Sequence, residues 1–389
     1  MANGFDTTSL VKFQINPKLY ADTRLAFIID DFTLSNKLRT PCKTMWWAII
    51  HRKRLYSVFQ IPKATGGVRE IRAPSPYLKR LQYRLYSNIL RSLHNDMGNH
   101  VTAYRKGVGT KVAVTQHIYA CPICDSAPEG ESAKSHPCPR MGTFIKMDLK
   151  DFFHTTRKWW IEDYLISAGY SPYVADLMAV IMTVPGLPHP KDTTKTITGV
   201  PQGSPTSGAI CNLVAAQRLD PKIIEFLDQL NTTYKLEGEW VWRYTRYADD
   251  LAITCGRNVP KNAIDATLNS LKRIIREAGY LLNKKKTKIK KRKQRKQLLG
   301  LVFNQKPNIL RRDYLNLRAT VYNCVSYGFE SQAIRAGYDN PGRFASWLTG
   351  KINYVKHIHP SHGLKLAAVL DQAIEVHKPD WKDTPHVPD

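Results

Sequence analysis

The sequence predicts an α+β fold. Three observations carry that expectation. Strand-like apolar segments are few, segments of helical length and period are many, and carboxylates sit at strand ends and turns. Residues 1 to about 50 read as mixed helix, with LAFIIDDF and CKTMWWAII as apolar segments. YSVFQI and VREIRA read as two strands, and KATGG between them is a hairpin signal. LKRLQYRLYSNILRSL has apolar residues at helical spacing with Lys and Arg on the other face. The turn-rich segment 121–142 reads as an insertion. TFIKMDLKDFF is expected to be a buried strand with carboxylates at its C-terminal end. RKWWIEDYLISAGY and SPYVADLMAVIMTV follow as helices, and residues 186–200 as a Pro/Gly/Thr-rich connection. SPTSGAICNLVAAQRLDPKIIEFLDQL reads as one long helix after a tight GVPQG turn. WVWRYTRYADDLAITCG is two strands around a turn at the Asp pair, NAIDATLNSLKRIIREAGY an amphipathic helix, and QLLGLVFN a short strand. Residues 311–376 read as helical.

At 389 residues the chain exceeds what one core usually holds, so two or three subdomains are expected. Lys plus Arg number 58 against 32 Asp plus Glu, a net charge of +26. A field of that size favours a polyanionic partner. No apolar run is long enough to span a membrane, and the start of the chain shows no signal peptide. Nucleic acid in a cytoplasmic setting is therefore the expected context, with no membrane. The 7 cysteines are expected as reduced thiols or metal ligands.

The chemistry concentrates in carboxylates. Asp148 lies in FIKMDLKDFF, and Asp249 and Asp250 are adjacent in YADD, each in a strand-like apolar frame. Adjacent like charges repel, and burial without compensation is costly. One reading is a solvated hairpin tip, since Asp is a common turn residue. The other is a hard, oxygen-rich site for Mg²⁺. Two such ions about 3.5–4 Å apart activate an attacking hydroxyl and steady a leaving oxygen.

The order of segments decides. IPKATGGVREIRAP, FIKMDLKDFF, GVPQGSPTSGAICN, YTRYADDLAIT, LLNKKKTKI and LLGLVFN follow one another as the blocks of reverse transcriptases do. The sequence resembles a bacterial reverse transcriptase of the retron and defence-associated type, closely over roughly residues 55–305. The resemblance implies a right-hand polymerase fold with an antiparallel palm sheet and a helical thumb. Residues 1–145 would be N-terminal helices and fingers, 146–305 mainly palm, and 306–389 a thumb and RNA-binding region.

The resemblance also implies roles. Asp148, Asp249 and Asp250 would be catalytic and hold two Mg²⁺ ions, with Leu149 lending a backbone carbonyl. Phe152 would lie under the sugar, where a ring clashes with a 2′-OH and favours dNTPs. Gln202 and Gly203 would pack against the incoming nucleotide and template. Lys63, Arg69 and Arg72 would bind the triphosphate, with Lys286 approaching it from the NKKKT block. Gly300 would support the primer end. Two departures bear on the retron assignment: KVAVTQHIYA carries His117 without the Asn-Ala of retron enzymes, and Leu298-Leu299-Gly300 stands where they carry Val-Thr-Gly.

Cys121, Cys124 and Cys138, with His136, offer four soft ligands for a structural Zn²⁺; the alternative is a loop with free thiols. Residues 284–296 hold ten Lys or Arg in thirteen positions. Lys290, Lys291, Arg292, Lys293 and Arg295, with Arg311, Arg312 and Arg318 on the following helix, are expected to contact phosphates without reading sequence. The expected partners are a structured non-coding RNA, its RNA–DNA hybrid or single-stranded DNA product, dNTPs and, as an open further partner, an effector protein. The expected function is RNA-directed DNA synthesis on a cognate RNA in a retron-like antiphage system. Three alternatives stay open: another defence-associated reverse transcriptase, untemplated DNA synthesis, and a non-catalytic RNA-binding assembly protein.

Overall fold

The structure, a computed structural model, describes residues 25–62, 66–119, 142–192, 194–233, 241–256, 259 and 261–378. Lys63 and the candidate zinc ligands Cys121, Cys124, His136 and Cys138 lie outside the described residues. The chain divides into two compact units, residues 1–109 with 145–289, and residues 110–144 with 290–389. These are packing units. The expected boundaries at 145 and 305 differ from these packing boundaries.

The first unit is built on a sheet of order β6–β7–β3–β8, with β9 also paired to β3. The strands are β3 (Thr143–Lys150), β6 (Arg243–Tyr247), β7 (Asp250–Cys255), β8 (Leu281–Leu282) and β9 (Lys288–Lys290). Within this unit Ile145, Met147 and Leu149 of β3 are buried in its core. Helices make up much of the rest of this unit. Pro172–Met182 starts with Ser171 accepting a hydrogen bond from the Val174 N–H at 3.3 Å and has Pro172 in its first turn. Eight of its eleven residues are buried, which suits a helix apolar all round. Lys261–Glu277 shows the opposite pattern, with a single apolar stripe of Ala263, Leu271, Ile274 and Ile275.

The segment expected as one helix after GVPQG is two, Ser207–Arg218 and Asp220–Thr233. Pro221 is the cause: it has no N–H to donate to the Gln217 carbonyl, and its ring clashes there. Residues 186–200, expected as a plain connection, carry an antiparallel hairpin. It consists of β4 (Val184–Pro188) and β5 (Thr196–Gly199), with a bulge between Val184 and Leu187. Ahead of the sheet, β1 (Tyr56–Pro62) and β2 (Val68–Pro74) form an antiparallel ribbon in which Phe59 faces Ile71 and Pro62 faces Val68. Most of β1 is exposed, including Val58, Phe59 and Ile61.

In the second unit, three helices Arg311–Arg335, Pro341–Ile358 and Pro360–His377 close on a core of Val321, Cys324, Phe344, Leu348, Ile352, Leu366 and Leu370. The first of them kinks at Gly328, whose φ of 75° and ψ of 166° few residues but glycine adopt. QLLGLVFN, expected as one strand, is two: β10 (Gln297–Leu298) and β11 (Leu301–Val302). They join β12 (Asn308–Ile309) in an antiparallel sheet. Leu299 (φ 50°) and Gly300 (φ 82°) form the intervening two-residue turn, both left-handed as a tight hairpin requires. Among the described residues no helix is long and apolar enough to cross a membrane.

Candidate active site

A strand end and a turn bring the carboxylates together. Asp148 is near the C-terminal end of β3 and is 5% exposed. Asp249 sits in the turn joining β6 to β7, where Tyr247 pairs with Asp250 and leaves only Ala248 and Asp249 between the strands. Ala248 is left-handed (φ 55°), a conformation that costs an L-residue roughly 1–2 kcal/mol. The Leu149 N–H donates to the Asp249 carbonyl at 2.8 Å, and the Asn283 N–H donates to the Asp148 carbonyl at 2.8 Å. These main-chain bonds fix the turn against the end of β3.

Asp148, Leu149 and Asp249 line a cleft of about 870 Å³ that also receives Arg69, Tyr104, Phe152, Phe153, Gln202 and Lys286. Burial, followed by the nearby Asp250 and Asp148 charges, pushes the Asp249 carboxyl up to about 6. Lysines answer the other two carboxylates. Lys286 Nζ donates to Asp148 Oδ1 at 2.7 Å, and Lys146 Nζ lies 2.9 Å from Asp250 Oδ1. The hydrogen bond to Asp148 raises the Lys286 ammonium's pKa against the opposing effect of burial. Asp250 does not line the cleft; it starts β7 and faces Lys146. Among the described residues no three His, Cys, Asp or Glu side chains gather tightly enough to hold an ion by themselves. The donor set still fits a hard divalent cation. It consists of two carboxylates whose main chain is fixed by hydrogen bonds, one of them held back from ionising by burial and then by its negative neighbours.

The two phenylalanines after Asp148 part company. The chain leaves strand geometry at Asp151 (φ 49°) and enters the short helix Phe152–Thr155. Phe152, expected under the sugar, is 3% exposed, with its ring stacked on Tyr280 at 5.9 Å. Phe153 is only half-buried and meets Tyr104 edge-on at 6.3 Å. It also lines a second, adjoining cavity of about 360 Å³ with Tyr104, Gln202 and Gly203. Sequence reading missed Phe153 and Tyr104; the adjacent ring in KDFF was the available signal for the first.

The PQG turn docks on the ribbon. The Arg72 N–H donates to the Gln202 carbonyl at 2.8 Å, and a Cβ at Gly203 (φ 122°) would stand 3.0 Å from Ile71 Cγ2 and 3.1 Å from the Arg72 carbonyl oxygen. Gly203 therefore permits a close backbone approach. Arg69 is exposed on β2, whereas Arg72 Nε donates to Glu70 Oε1 at 2.7 Å.

In the second unit Gly300 is exposed at its hairpin tip. Lys291, Lys293, Arg295, Arg311, Arg312 and Arg318 are exposed, and Lys290 and Arg292 half-buried. Lys296, the last of the basic run, is buried, with its Nζ donating to the Arg292 carbonyl. Arg318 lies over the Tyr322 ring at 5.3 Å.

The profile of the family described as reverse transcriptase (RNA-dependent DNA polymerase) matches residues 61–303. The chain belongs to the reverse transcriptase family. The right-hand polymerase fold expected from the sequence is the fold of this family. Curated relatives agree. The retron Mx65 reverse transcriptase of Myxococcus xanthus is 29% identical over 81% of this chain and 64% of its own length. The retron Ec73 reverse transcriptase of Escherichia coli is 29% identical over 68% and 72%. The chain thus spans just under two thirds of the Mx65 enzyme. Among solved structures, telomerase from Candida albicans, in complex with a fragment of telomeric RNA, has a TM-score of 0.43 at 12% identity, covering 84% of this chain and 61% of that one. Enzymes of the reverse transcriptase family use divalent metal ions.

Proposed function

We propose that this reverse transcriptase is an RNA-directed DNA polymerase that copies a cognate structured RNA in a retron-like antiphage system. The observation that carries the chemistry is the 2.8 Å hydrogen bond from the Leu149 N–H to the Asp249 carbonyl, which sets Asp249 beside Asp148 at the mouth of one cleft. The retron assignment is supported by the Mx65 and Ec73 relatives.

Asp148, Asp249 and the Leu149 carbonyl would hold two Mg²⁺ ions, with Asp250 as a supporting charge. Bound there, the ions supply Lewis-acid stabilisation of the attacking and leaving oxygens. Arg69 grips the triphosphate, a task that suits a forked guanidinium. Lys286 brings a positive charge to the same cleft, and Lys63 is the further triphosphate contact expected from the sequence. Arg72, tied to Glu70 and Gln202, fixes the ribbon to the PQG turn. Phe153, rather than the buried Phe152, presents its ring to the sugar and disfavours a 2′-OH. The thumb region 306–389 and the basic run hold RNA through phosphate contacts, with Gly300 at the primer end. A zinc knuckle at Cys121, Cys124, Cys138 and His136 would brace the inserted loop, and metal analysis of the purified protein tests it.

The test of the main reading is DNA synthesis by the purified chain with its co-purified RNA, compared with Asp249→Ala. Wild type should yield DNA whose sequence is complementary to that RNA, and the variant none. Undiminished synthesis by the variant would refute the site. Product unrelated to the RNA, or made after its removal, would favour untemplated synthesis.

A further inference from the structure

Arg246 is a fully buried arginine, at 0% exposure, and lies in β6 three residues before Asp249. Its partner is Asp220, 1% exposed, at the start of helix Asp220–Thr233. Nε donates to Asp220 Oδ1 at 2.9 Å and Nη2 to Asp220 Oδ2 at 2.8 Å, a two-pronged grip. Nη1 donates to Asn212 Oδ1 at 2.7 Å and Nη2 also to the Asn212 carbonyl at 3.2 Å. Asn212 belongs to the helix that follows PQGSP, and its Nδ2 donates to the Ala103 carbonyl at 2.9 Å. Tyr244 Oη donates to Asp220 Oδ1 at 2.8 Å, and His100 Nε2 lies 3.4 Å from Asp220 Oδ2.

The main chain of Arg246 is held as firmly. Its N–H donates to the His100 carbonyl at 2.7 Å, and its carbonyl accepts from the Thr102 N–H at 2.9 Å. The guanidinium carbon also lies 5.9 Å from the centre of the Phe152 ring, in the segment that follows Asp148. One side chain therefore meets the hairpin bearing Asp249, the segment after Asp148 and the helix after the PQG turn.

Stability alone does not account for such a group. Replacing a buried ion pair with apolar residues of similar volume is often neutral or stabilising. A forked pair with hydrogen bonds from all three guanidinium nitrogens instead favours one geometry. We infer that Arg246, held by Asp220 and Asn212, is the positioning residue of the catalytic hairpin, setting the place of Asp249 relative to Asp148. The inference rests on the reading of those two carboxylates as the polymerase centre.

The test is rapid-quench incorporation of one dNTP on a primed RNA template by the full chain. It compares wild type with Arg246→Lys, Asp220→Asn and the apolar double replacement Arg246→Met/Asp220→Leu. Burst amplitude counts competent molecules, and the rate constant reads their geometry. All three variants should lose about tenfold to hundredfold in rate constant, the scale of an ångström-level misplacement. The dNTP concentration for half-maximal rate should stay unchanged, and the double variant should remain folded, melting lower only by the cost of leaving Asn212 and the Tyr244 hydroxyl without their partners. A fall in amplitude at wild-type rate constant would overturn the inference, reducing the network to a folding element. So would a double variant that is folded and fully fast. Asp249→Ala separates the two levels: a wild type that makes no more DNA than this control overturns the polymerase reading itself, and the inference with it.

Discussion

Replacing Asp249 with asparagine should stabilise the metal-free protein at neutral pH while abolishing polymerisation. Burial and the charges of Asp250 and Asp148 raise the Asp249 carboxyl from 3.8 to about 6. At about 1.4 kcal/mol per pH unit, ionised Asp249 costs the fold up to ~3 kcal/mol, and partial solvent access brings that to ~2 kcal/mol. The folded pKa lies above the unfolded one, so the stabilising contribution is complete below about pH 4. It is lost as pH rises through about 6, because the unfolded chain gives up its proton first. The asparagine side chain has no proton to lose. Urea unfolding in EDTA from pH 4 to 8 should therefore show the variant equal to wild type at the acid end and ~2 kcal/mol more stable by pH 7. Taking the difference between the two proteins cancels the other titrating groups. Mg²⁺ should then stabilise wild type and leave the variant nearly unmoved. Parallel stability curves, or a variant less stable at pH 7, would refute the argument that Asp249 is held against its charge.

Two further predictions concern the walls of the cleft. Phe153→Ala should admit rNTPs more readily while leaving the melting temperature nearly unchanged, since its ring is half-buried. Phe152→Ala should instead destabilise by roughly 3–5 kcal/mol, as for a buried ring in a packed core. Incorporation assays with paired dNTP and rNTP substrates, beside melting curves, separate the two. Gly203→Ala should cost roughly 1–3 kcal/mol of stability, because φ of 122° strains an alanine and the new methyl crowds the Arg72 carbonyl. An unchanged melting temperature would contradict the close approach of the PQG turn to β2.

The carboxylate frame was legible in the sequence because it depends on local pattern. FIKMDL and YTRYADDLAIT are strand-length, largely apolar segments with the acids near an end or at the turn, and the structure makes strands of both. What stayed hidden depends on backbone departures and distant partners. Strand parity cannot assign Phe152 and Phe153 to faces, because the strand ends at Lys150 and Asp151 turns left-handed before a helical turn begins. The helix break at Leu219 was visible in Pro221, but the long apolar period on either side masked it.

Arg246 is the hardest case. In RYTRYADD it reads as a solvated strand charge, and nothing nearby in sequence points to the distant carboxylate it pairs with. Its partner Asp220 is 26 residues away, at the start of a helix that the sequence ran together with its predecessor. Had that break been read, an unpaired Asp at a helix start would have been free for a buried cation. The proline that splits the helix places Asp220 at the start of the second one, where it pairs with Arg246. A change at Pro221 that fused the two helices should loosen Arg246 before it disturbs the carboxylates themselves.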